Sequence, residues 1–136
     1  SDKDLFYGST HQMPLYPGTG AVGETGVGNI FNAPLREGDR GDAFRFACTD
    51  RILPALDRFR PDLVVISAGF DAHHRDPLGG LRLTEADFAW ITEKLVESAG
   101  RHCRGRVVSV LEGGYDLDGL SLSVGEHVRV LMAAGG

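Results

Sequence analysis

Hydrophobic residues along the chain follow two spacings, one typical of strands and one typical of helices. Short extended runs predict strands at Leu5–Ser9, Asn29–Pro34, Leu63–Ile66 and Val107–Leu111. The last two runs are continuous and rich in valine, which is typical of parallel strands that are buried on both faces. These strands are separated by longer segments with a different period.

Apolar residues recur every three to four positions in those segments, which predicts amphipathic helices. The first helix covers Phe44–Phe59, and we expect Pro54 to kink or restart it. The second opens with a capping box at Thr84–Asp87 and ends at Gly100. The third begins near Asp118. The face of this third helix that we expect to be buried comprises Leu120, Val124, Val128 and Leu131.

The alternation of strands and helices predicts an α/β fold with a parallel sheet and right-handed crossovers. In such sheets, ligand sites lie beyond the carboxyl ends of the strands. Two polar segments, FDAHHRD at 70–76 and EGGYD at 112–116, each follow a predicted strand directly. We therefore expect both segments at the same edge of the sheet, in one shared site.

Composition narrows the classes of function. The chain has 136 residues, of which 42% are hydrophobic and 24% charged, as in a single globular domain. Its net charge of -5 argues against direct binding of nucleic acid, and no apolar run is long enough to span a membrane. Cys48 and Cys103 lack the spacing of a disulfide framework, which predicts buried, reduced thiols in a cytoplasmic protein.

Asp71 is the acid best placed for chemistry, because it directly follows the predicted Leu63–Ile66 strand. The alternative is that its carboxylate caps the following turn. His73 and His74 lie in the same loop, but we favour two surface histidines over a shared metal site. Asp76, which precedes a proline, is interpreted as a turn cap.

Two other segments also have alternative interpretations. Gly18–Gly23 spells G-x-G-x-x-G, but Tyr16-Pro17 precedes it where a dinucleotide-binding fingerprint needs a strand. We favour a shaped loop over a nucleotide site there. Tyr115 follows Gly113-Gly114, a pair that permits close approach of a substrate to the backbone. The alternative is a tyrosine that packs its ring and exposes its hydroxyl.

Three segments in this order resemble the histone deacetylase superfamily, which includes zinc-dependent deacetylases and bacterial relatives that act on acetylpolyamines. The segments are STHQ…YPGTG at Ser9–Gly20, SAGFDAHHRDPLGGL at Ser67–Leu81 and LEGGYDLDGL at Leu111–Leu120. The amino-acid sequences of the last two segments resemble the class II and bacterial branch more than class I. The resemblance implies an arginase/deacetylase-like fold, a parallel sheet flanked by helices, of which this chain is the C-terminal portion.

The resemblance also implies an activity and its cofactor. Asp71 resembles one ligand of a catalytic zinc, although iron would suit a carboxylate and histidine set as well. Tyr115 resembles the tyrosine whose hydroxyl binds the oxyanion of the reaction. The implied activity is removal of acetyl groups from an acetylated amine, either acetyl-lysine or an acetylpolyamine.

Other residues resemble parts of the substrate and ion sites of this family. Tyr16, Leu78 and the backbone of Gly113 and Gly114 resemble the wall of the substrate tunnel. Ser9 and Thr10 loosely resemble a monovalent-cation site, for which potassium is the expected ion.

The family's other zinc ligands and its catalytic histidine pair are expected upstream of the STHQ segment. The Asp71-Ala72-His73 sequence has the letters of the missing Asp-x-His motif but belongs to the loop of the first ligand. The chain begins at Ser1 without an initiator Met, so we expect an excised segment that is inactive alone. We also expect homo-oligomers, because a partial sheet leaves an unpaired edge. The alternative is a non-catalytic structural or interaction module with the same fold.

Overall fold

A computed structural model describes residues 2–15 and 17–135 of the chain. Strands and helices alternate along most of this part, as the apolar pattern predicts. The elements are β1 (Tyr7–Gln12), β2 (Ile30–Leu35), α1 (Gly41–Ala47), α2 (Leu53–Phe59), β3 (Val64–Ala68), α3 (Glu85–His102), β4 (Val107–Leu111) and α4 (Leu117–Gly135). Within the described residues, no helix combines the length and apolar character needed to cross a membrane.

The strands pair in parallel, as predicted, in two sheets of two strands each. β1 pairs with β2 from Tyr7 opposite Ile30 onwards, and β3 pairs with β4 from Val64 opposite Val107 onwards. β1 begins two residues later than the sequence pattern predicts, at Tyr7. Because the strands are parallel, the segments that follow β3 and β4 leave the sheet at the same edge.

The predicted first helix is interrupted before its proline, as expected. A π-helical turn at Cys48–Ile52 separates α1 from α2, and Pro54 lies in the first turn of α2. A proline cannot donate a backbone hydrogen bond and its ring crowds the preceding turn, so the wider turn accommodates it. α2 ends at Phe59 and is capped by Arg60, whose φ of 57° lies in the left-handed region.

A hydrophobic core forms between these helices and the strands. Phe70 packs edge-on against Phe88, with ring centroids 5.1 Å apart. The buried members of this core are Leu35, Phe44, Cys48, Ala68, Phe70, Leu81, Leu83 and Phe88. Both cysteines are free and buried, as predicted, and burial raises the pKa of the Cys48 thiol to about 12.

The prediction that β3 and β4 are buried on both faces is wrong for this chain. Val64 and Ala68 of β3 are buried, but Val65 between them is 62% exposed. Val108 and Val110 of β4 are exposed as well. A parallel strand is buried on both faces only when helices cover both, and the described part of the chain leaves one face open.

α3 begins as predicted and ends later than predicted. Its capping box is present, with the Thr84 N–H donating to Asp87 Oδ2 at 2.9 Å. The helix does not stop at Gly100 but continues to His102. The left-handed residues that reverse the chain are Arg104 and Gly105, with φ of 57° and 74°. The helix therefore ends where the backbone changes hand, and a glycine within a helix does not suffice to end it.

α4 begins at Leu117, close to the predicted start, and the face predicted to be buried is right only in part. Leu120 and Val124 are partly buried and pack against the hydrophobic core, as expected. Asp116 caps the helix, with Oδ2 accepting the Gly119 N–H at 2.8 Å. Val128, which we expected in the core, is exposed. The residues of α4 that are buried are Gly119, Ser123, His127 and Val130. His127 on this face lies within hydrogen-bond distance of Thr92 of α3 and Ser109 of β4.

Candidate active site

The loops that follow β3 and β4 lie together, as predicted. We call residues 69–83 the β3 loop and residues 112–116 the β4 loop. The Phe70 N–H donates to the Gly113 carbonyl at 2.8 Å, and the Glu112 N–H donates to the Ala68 carbonyl at 3.0 Å. These bonds continue the pairing of β3 with β4 beyond the strand ends. The two polar segments of the sequence therefore form one site at the edge of the sheet.

Glycines surround Asp71 at the centre of this site. A Cβ at Gly113 would lie 3.0 Å from the Asp71 Cγ, and one at Gly69 would lie 3.2 Å from Asp71 Oδ1. A Cβ at Gly79 would overlap the Asp71 carbonyl oxygen. The absence of side chains at Gly69 and Gly113 thus leaves room for the exposed Asp71 carboxylate. A side chain at either position would push the carboxylate aside.

The carboxylate of Asp71 does not cap the turn that follows it. Hydrogen bonds within the β3 loop are made by the side chains of His73 and Asp76, and among the described residues no donor contacts the Asp71 carboxylate. Asp71 is exposed at the junction of the two loops. Its acceptor oxygens therefore remain available for a ligand.

Asp76 is buried and joins the two loops with its carboxylate. Its Oδ1 accepts the N–H groups of Leu78 at 2.9 Å and Gly79 at 3.0 Å, which confirms the predicted turn cap. Its Oδ2 accepts the Tyr115 N–H at 2.9 Å. The D-P sequence signals the turn cap, but no local pattern signals the bond to Tyr115, which is 39 positions away.

Tyr115 projects from the β4 loop with 58% of its surface exposed. The preceding Gly114 has a φ of 144°, and a Cβ there would lie 2.7 Å from Leu120 Cδ1. The backbone conformation favours glycine at position 114, and a side chain there would also displace the end of Leu120. Leu78 is also exposed, and its backbone N–H donates to the same Asp76 carboxylate that accepts the Tyr115 N–H. The structure therefore brings Leu78, Gly113, Gly114 and Tyr115 to the site of Asp71.

Tyr16, the remaining residue predicted for the substrate wall, lies outside the described residues.

The prediction of two surface histidines is wrong for His73 and correct for His74. His73 is 1% exposed, its Nδ1 accepts the Arg75 N–H at 3.2 Å, and its Nε2 lies 3.1 Å from Glu85 Oε2. The β3 loop folds back on itself, with the His74 N–H donating to the Leu83 carbonyl at 2.8 Å, and it reaches the first residue of α3 at Glu85. Both ring nitrogens of His73 are engaged, so it is not a free metal ligand in this structure.

The contact with His73 helps to lower the pKa of the Glu85 carboxyl. A hydrogen bond from its own backbone N–H, followed by the hydrogen bond from His73, lowers the pKa of its carboxyl. An ionised Glu85 lies at the first turn of α3, where a negative charge is favourable. The contact ties the β3 loop to a helix end, and no spacing in the sequence indicates it.

Ser9 lies on β1 and takes part in a short chain of hydrogen bonds. Its hydroxyl donates to His11 Nδ1 at 3.0 Å, and His11 Nε2 donates to the Gly20 carbonyl at 2.9 Å. Gly20 has a φ of 93°, and a Cβ there would overlap the His11 ring. The G-x-G-x-x-G segment is therefore a shaped loop held by β1, as predicted. Thr10 lies between these partners on the strand.

Gln12 connects β1 to the β3 loop. Its Oε1 accepts the Gly80 N–H at 2.7 Å. This bond brings the end of the strand that carries Ser9 and Thr10 to the loop that carries Asp71. The predicted cation residues and the predicted zinc ligand thus belong to elements that adjoin each other.

The part of the chain that the structure describes does not complete a metal site. Within residues 2–15 and 17–135, histidine, cysteine, aspartate and glutamate form no group of three or more that could hold a metal ion. A catalytic zinc takes three protein ligands and an open position. Asp71 fits one of these positions, so a zinc site would need two further ligands from other segments.

These observations define an α/β protein with a ligand site at the carboxyl ends of parallel strands. The Histone deacetylase domain family matches residues 1–131, and the chain belongs to that family. The arginase/deacetylase-like fold and the resemblance expected from the sequence are thereby confirmed.

Proteins similar to this chain are longer than it is. Histone deacetylase 10, chloroplastic, of Oryza sativa subsp. japonica is 44% identical over 96% of this chain and 30% of its own length. A probable deacetylase of Archaeoglobus fulgidus is 41% identical over 88% of this chain and 34% of its own length. The chain thus spans about a third of these relatives.

Two solved structures share the fold. The HDA15 HD domain superposes with a TM-score of 0.84 at 37% identity, over 94% of this chain and 37% of that one. The acetylpolyamine aminohydrolase from Burkholderia pseudomallei gives a TM-score of 0.83 at 29% identity, over 97% of this chain and 39% of that one. The described elements therefore have the arrangement of a corresponding part of these larger domains.

Proposed function

We propose that the full-length protein containing this chain is a zinc-dependent deacetylase that removes acetyl groups from an acetylated amine, either acetyl-lysine or an acetylpolyamine. The observation that carries the proposal is the junction of the two loops. Asp71 lies against Gly113, two residues before Tyr115, and the family match covers both loops. A metal ligand and an oxyanion donor need this proximity to act on one carbonyl group.

In this proposal, Asp71 is one of the ligands of the metal, and the other ligands come from segments outside this chain. When bound, zinc supplies a Lewis acid that polarises the amide carbonyl and lowers the pKa of water. Since these residues alone do not complete the site, the isolated chain is expected to be inactive. Metal analysis of the active full-length protein distinguishes zinc from iron.

Tyr115 donates its hydroxyl proton in a hydrogen bond to the oxygen of the amide as negative charge develops there. A fixed donor of this kind is most effective when it is placed for the oxyanion rather than for the neutral carbonyl. Leu78 and the backbone of Gly113 and Gly114 form the wall beside the acyl group, and Tyr16 is assigned to this wall from the sequence alone. Exposed apolar surface on Leu78 suits the methylene groups of an extended amine.

Two further assignments accompany this proposal. Ser9 and Thr10 contribute to a potassium site behind the strand ends. We also propose a cytoplasmic location, although two relatives are chloroplastic, and fractionation of cells that express the full-length protein tests it.

The test uses full-length protein loaded with zinc and supplied with an acetyl-lysine peptide or an acetylated polyamine. We expect release of acetate, and a preference for one of the two substrates identifies the class. Asp71→Asn should lower bound zinc and activity together, whereas Asp62→Asn, a change of another exposed acid, should leave both unchanged. No acetate release from a zinc-loaded protein would overturn the proposal.

The alternative is a non-catalytic structural or interaction module with a deacetylase fold. The observation that favours it is that the described residues supply one candidate metal ligand and no complete site. This alternative predicts that full-length protein binds no zinc stoichiometrically and that Asp71→Asn changes neither metal content nor activity.

A further inference from the structure

Asp76 is buried at the centre of the contact between the β3 loop and the β4 loop, with 7% of its surface exposed. Its two carboxylate oxygens have different partners. Oδ1 closes the turn by accepting the N–H groups of Leu78 and Gly79, at 2.9 and 3.0 Å. Oδ2 accepts the N–H of Tyr115 at 2.9 Å. One side chain thus fixes three backbone amides of the candidate site.

A turn cap by itself requires only Oδ1, since a single oxygen accepts both amides of the turn. The second oxygen makes a bond across the site, to the N–H of Tyr115. An unpartnered carboxylate oxygen would make burial costly, whereas donated N–H groups offset that cost. Closing the turn therefore explains the bonds to Oδ1 of Asp76 but not the bond that its Oδ2 makes with Tyr115.

The backbone of Tyr115 is held on two sides. On one side its N–H donates to Asp76 Oδ2. On the other side Gly114 lies against Leu120 of α4, where a Cβ would be 2.7 Å from Leu120 Cδ1. The tyrosine ring itself is mostly exposed and has no comparable support. The backbone sets the point from which the side-chain rotamers of Tyr115 extend, so a small rotation of the backbone is magnified at the hydroxyl.

We propose that Asp76 is a positioning residue for the reaction, which aims the Tyr115 hydroxyl at the substrate carbonyl and sets the Leu78 wall relative to it. This inference rests on the proposed role of Tyr115. In this role Asp76 acts through the backbone amides of Leu78, Gly79 and Tyr115. Because misplacement of a reacting group by about 1 Å can cost about 10²-fold in rate, one hydrogen bond to the backbone is sufficient to matter.

Asp76→Asn in the full-length protein isolates this bond. The amide oxygen can still accept from Leu78 and Gly79, but its NH₂ group then faces the Tyr115 N–H, donor against donor. We expect kcat to fall about 10- to 100-fold while KM and bound zinc change little. Asp39→Asn is the matched control, because Asp39 Oδ2 closes a turn at the Arg36 N–H, at 2.8 Å, without contacting Tyr115. It should leave kcat unchanged.

A double-mutant cycle distinguishes positioning from a general structural effect. In a Tyr115→Phe background the hydroxyl is absent, so we expect Asp76→Asn to lower kcat by less than about twofold further. If the two losses multiply instead, or if Asp76→Asn alone leaves kcat unchanged, the inference is overturned. If Tyr115→Phe itself leaves kcat unchanged, the proposed role of Tyr115 fails first. These outcomes separate a failure of the inference from a failure of the proposed function.

Hydrogen exchange provides a measurement that does not depend on the stability of a variant. The Tyr115 amide of the unmodified full-length protein should exchange slowly, because its acceptor is a buried carboxylate. The amide of Leu117, at the first residue of α4, serves as the internal reference for an exposed helix start. Exchange of Tyr115 as fast as that of Leu117 would overturn the inference.

Discussion

Gly113 lies directly against the carboxylate of Asp71, so that a Cβ at position 113 would be 3.0 Å from the Asp71 Cγ. The two residues are 42 positions apart in the sequence, in loops that follow neighbouring strands. Parallel pairing of β3 with β4 is what brings them together. The candidate site is thus a property of the sheet edge rather than of either loop alone.

Gly113→Ala should disturb this contact directly. The added methyl group pushes the Asp71 carboxylate away from its position, so we expect the zinc affinity and the kcat of the full-length protein to fall about 10- to 100-fold. Gly125→Ala is the matched control, because a Cβ at Gly125 in α4 meets no atom within 4 Å. Equal zinc content in both variants would contradict the assignment of Asp71 as a ligand.

Tyr115→Phe should remove the oxyanion donor while preserving the ring. The expected loss in kcat is about 10²- to 10³-fold with little change in KM, because the hydrogen bond strengthens only as charge develops. Tyr7→Phe is a control of equal exposure, 57% against 58%, on β1. Steady-state kinetics on the full-length protein make the comparison, and similar kcat values for the two variants would refute the role of Tyr115.

His127 should make the stability of the chain depend on pH. Thr92 Oγ1 donates to the Phe88 carbonyl, so it accepts from His127 Nδ1 at 2.8 Å, and the Ser109 hydroxyl lies 2.8 Å from Nε2. Burial lowers the pKa of His127 below its ordinary 6.5. Between the lowered value and 6.5, the unfolded chain binds more protons than the folded chain.

The free energy of unfolding should therefore fall as pH drops below 6.5, until the pH reaches the folded pKa of His127. Urea denaturation above and below pH 6.5 measures this change. His127→Gln should reduce the dependence on pH, and His74→Gln, a change of an exposed histidine, should retain it. A dependence of equal size in the His127 variant would show that other groups are responsible.

Arg60→Gly should stabilise the chain. Arg60 has a φ of 57° at the end of α2, where glycine avoids the steric cost of a side chain. We expect a gain of about 0.5–1 kcal/mol in the free energy of unfolding. Arg58→Gly, the same change inside the helix, should instead cost about 1 kcal/mol. Denaturation midpoints of both variants check the opposite signs, and a loss on Arg60→Gly would contradict the account.

Exposed apolar surface on α4 and β4 should cause this chain to self-associate. These elements form an open groove of about 830 Å³, lined by Leu111, Leu117, Val128 and Met132 among others. Contact of this apolar surface with water is unfavourable. We expect light scattering to report dimers or larger species, and Met132→Lys to reduce them. Leu5→Lys, a change of an exposed leucine outside the groove, is the control. A monomer at high concentration would contradict this prediction.

Local chemistry explains the parts of the fold that could be predicted. The capping box at Thr84–Asp87 places two partners within one turn, and Pro54 acts on the turn that contains it. Strand position follows from apolar runs of a few residues. The site edge was predictable because parallel strands release their following loops together, whichever helices connect them.

Burial could not be predicted in the same way. The apolar period of α4 is genuine, and Leu120 and Val124 pack against the core. Val128 is nevertheless exposed, while His127 is buried and hydrogen-bonded to Thr92 and Ser109. β3 has the composition of a strand covered on both faces, but Val65 is exposed. The apolar composition of a strand shows that it is suited to burial, whereas the surrounding elements determine whether each of its faces is covered.

The sequence by itself determined the family, the order of elements and the identity of Asp71 and Tyr115 as candidates, because motifs and periods are local properties. Only the tertiary structure decided that Asp76 bonds to the Tyr115 amide and that His73 is buried against Glu85. Backbone amides are the same at every position and leave no mark in the sequence. Their partners are selected by the packing of the β3 loop between the start of α3 and the β4 loop.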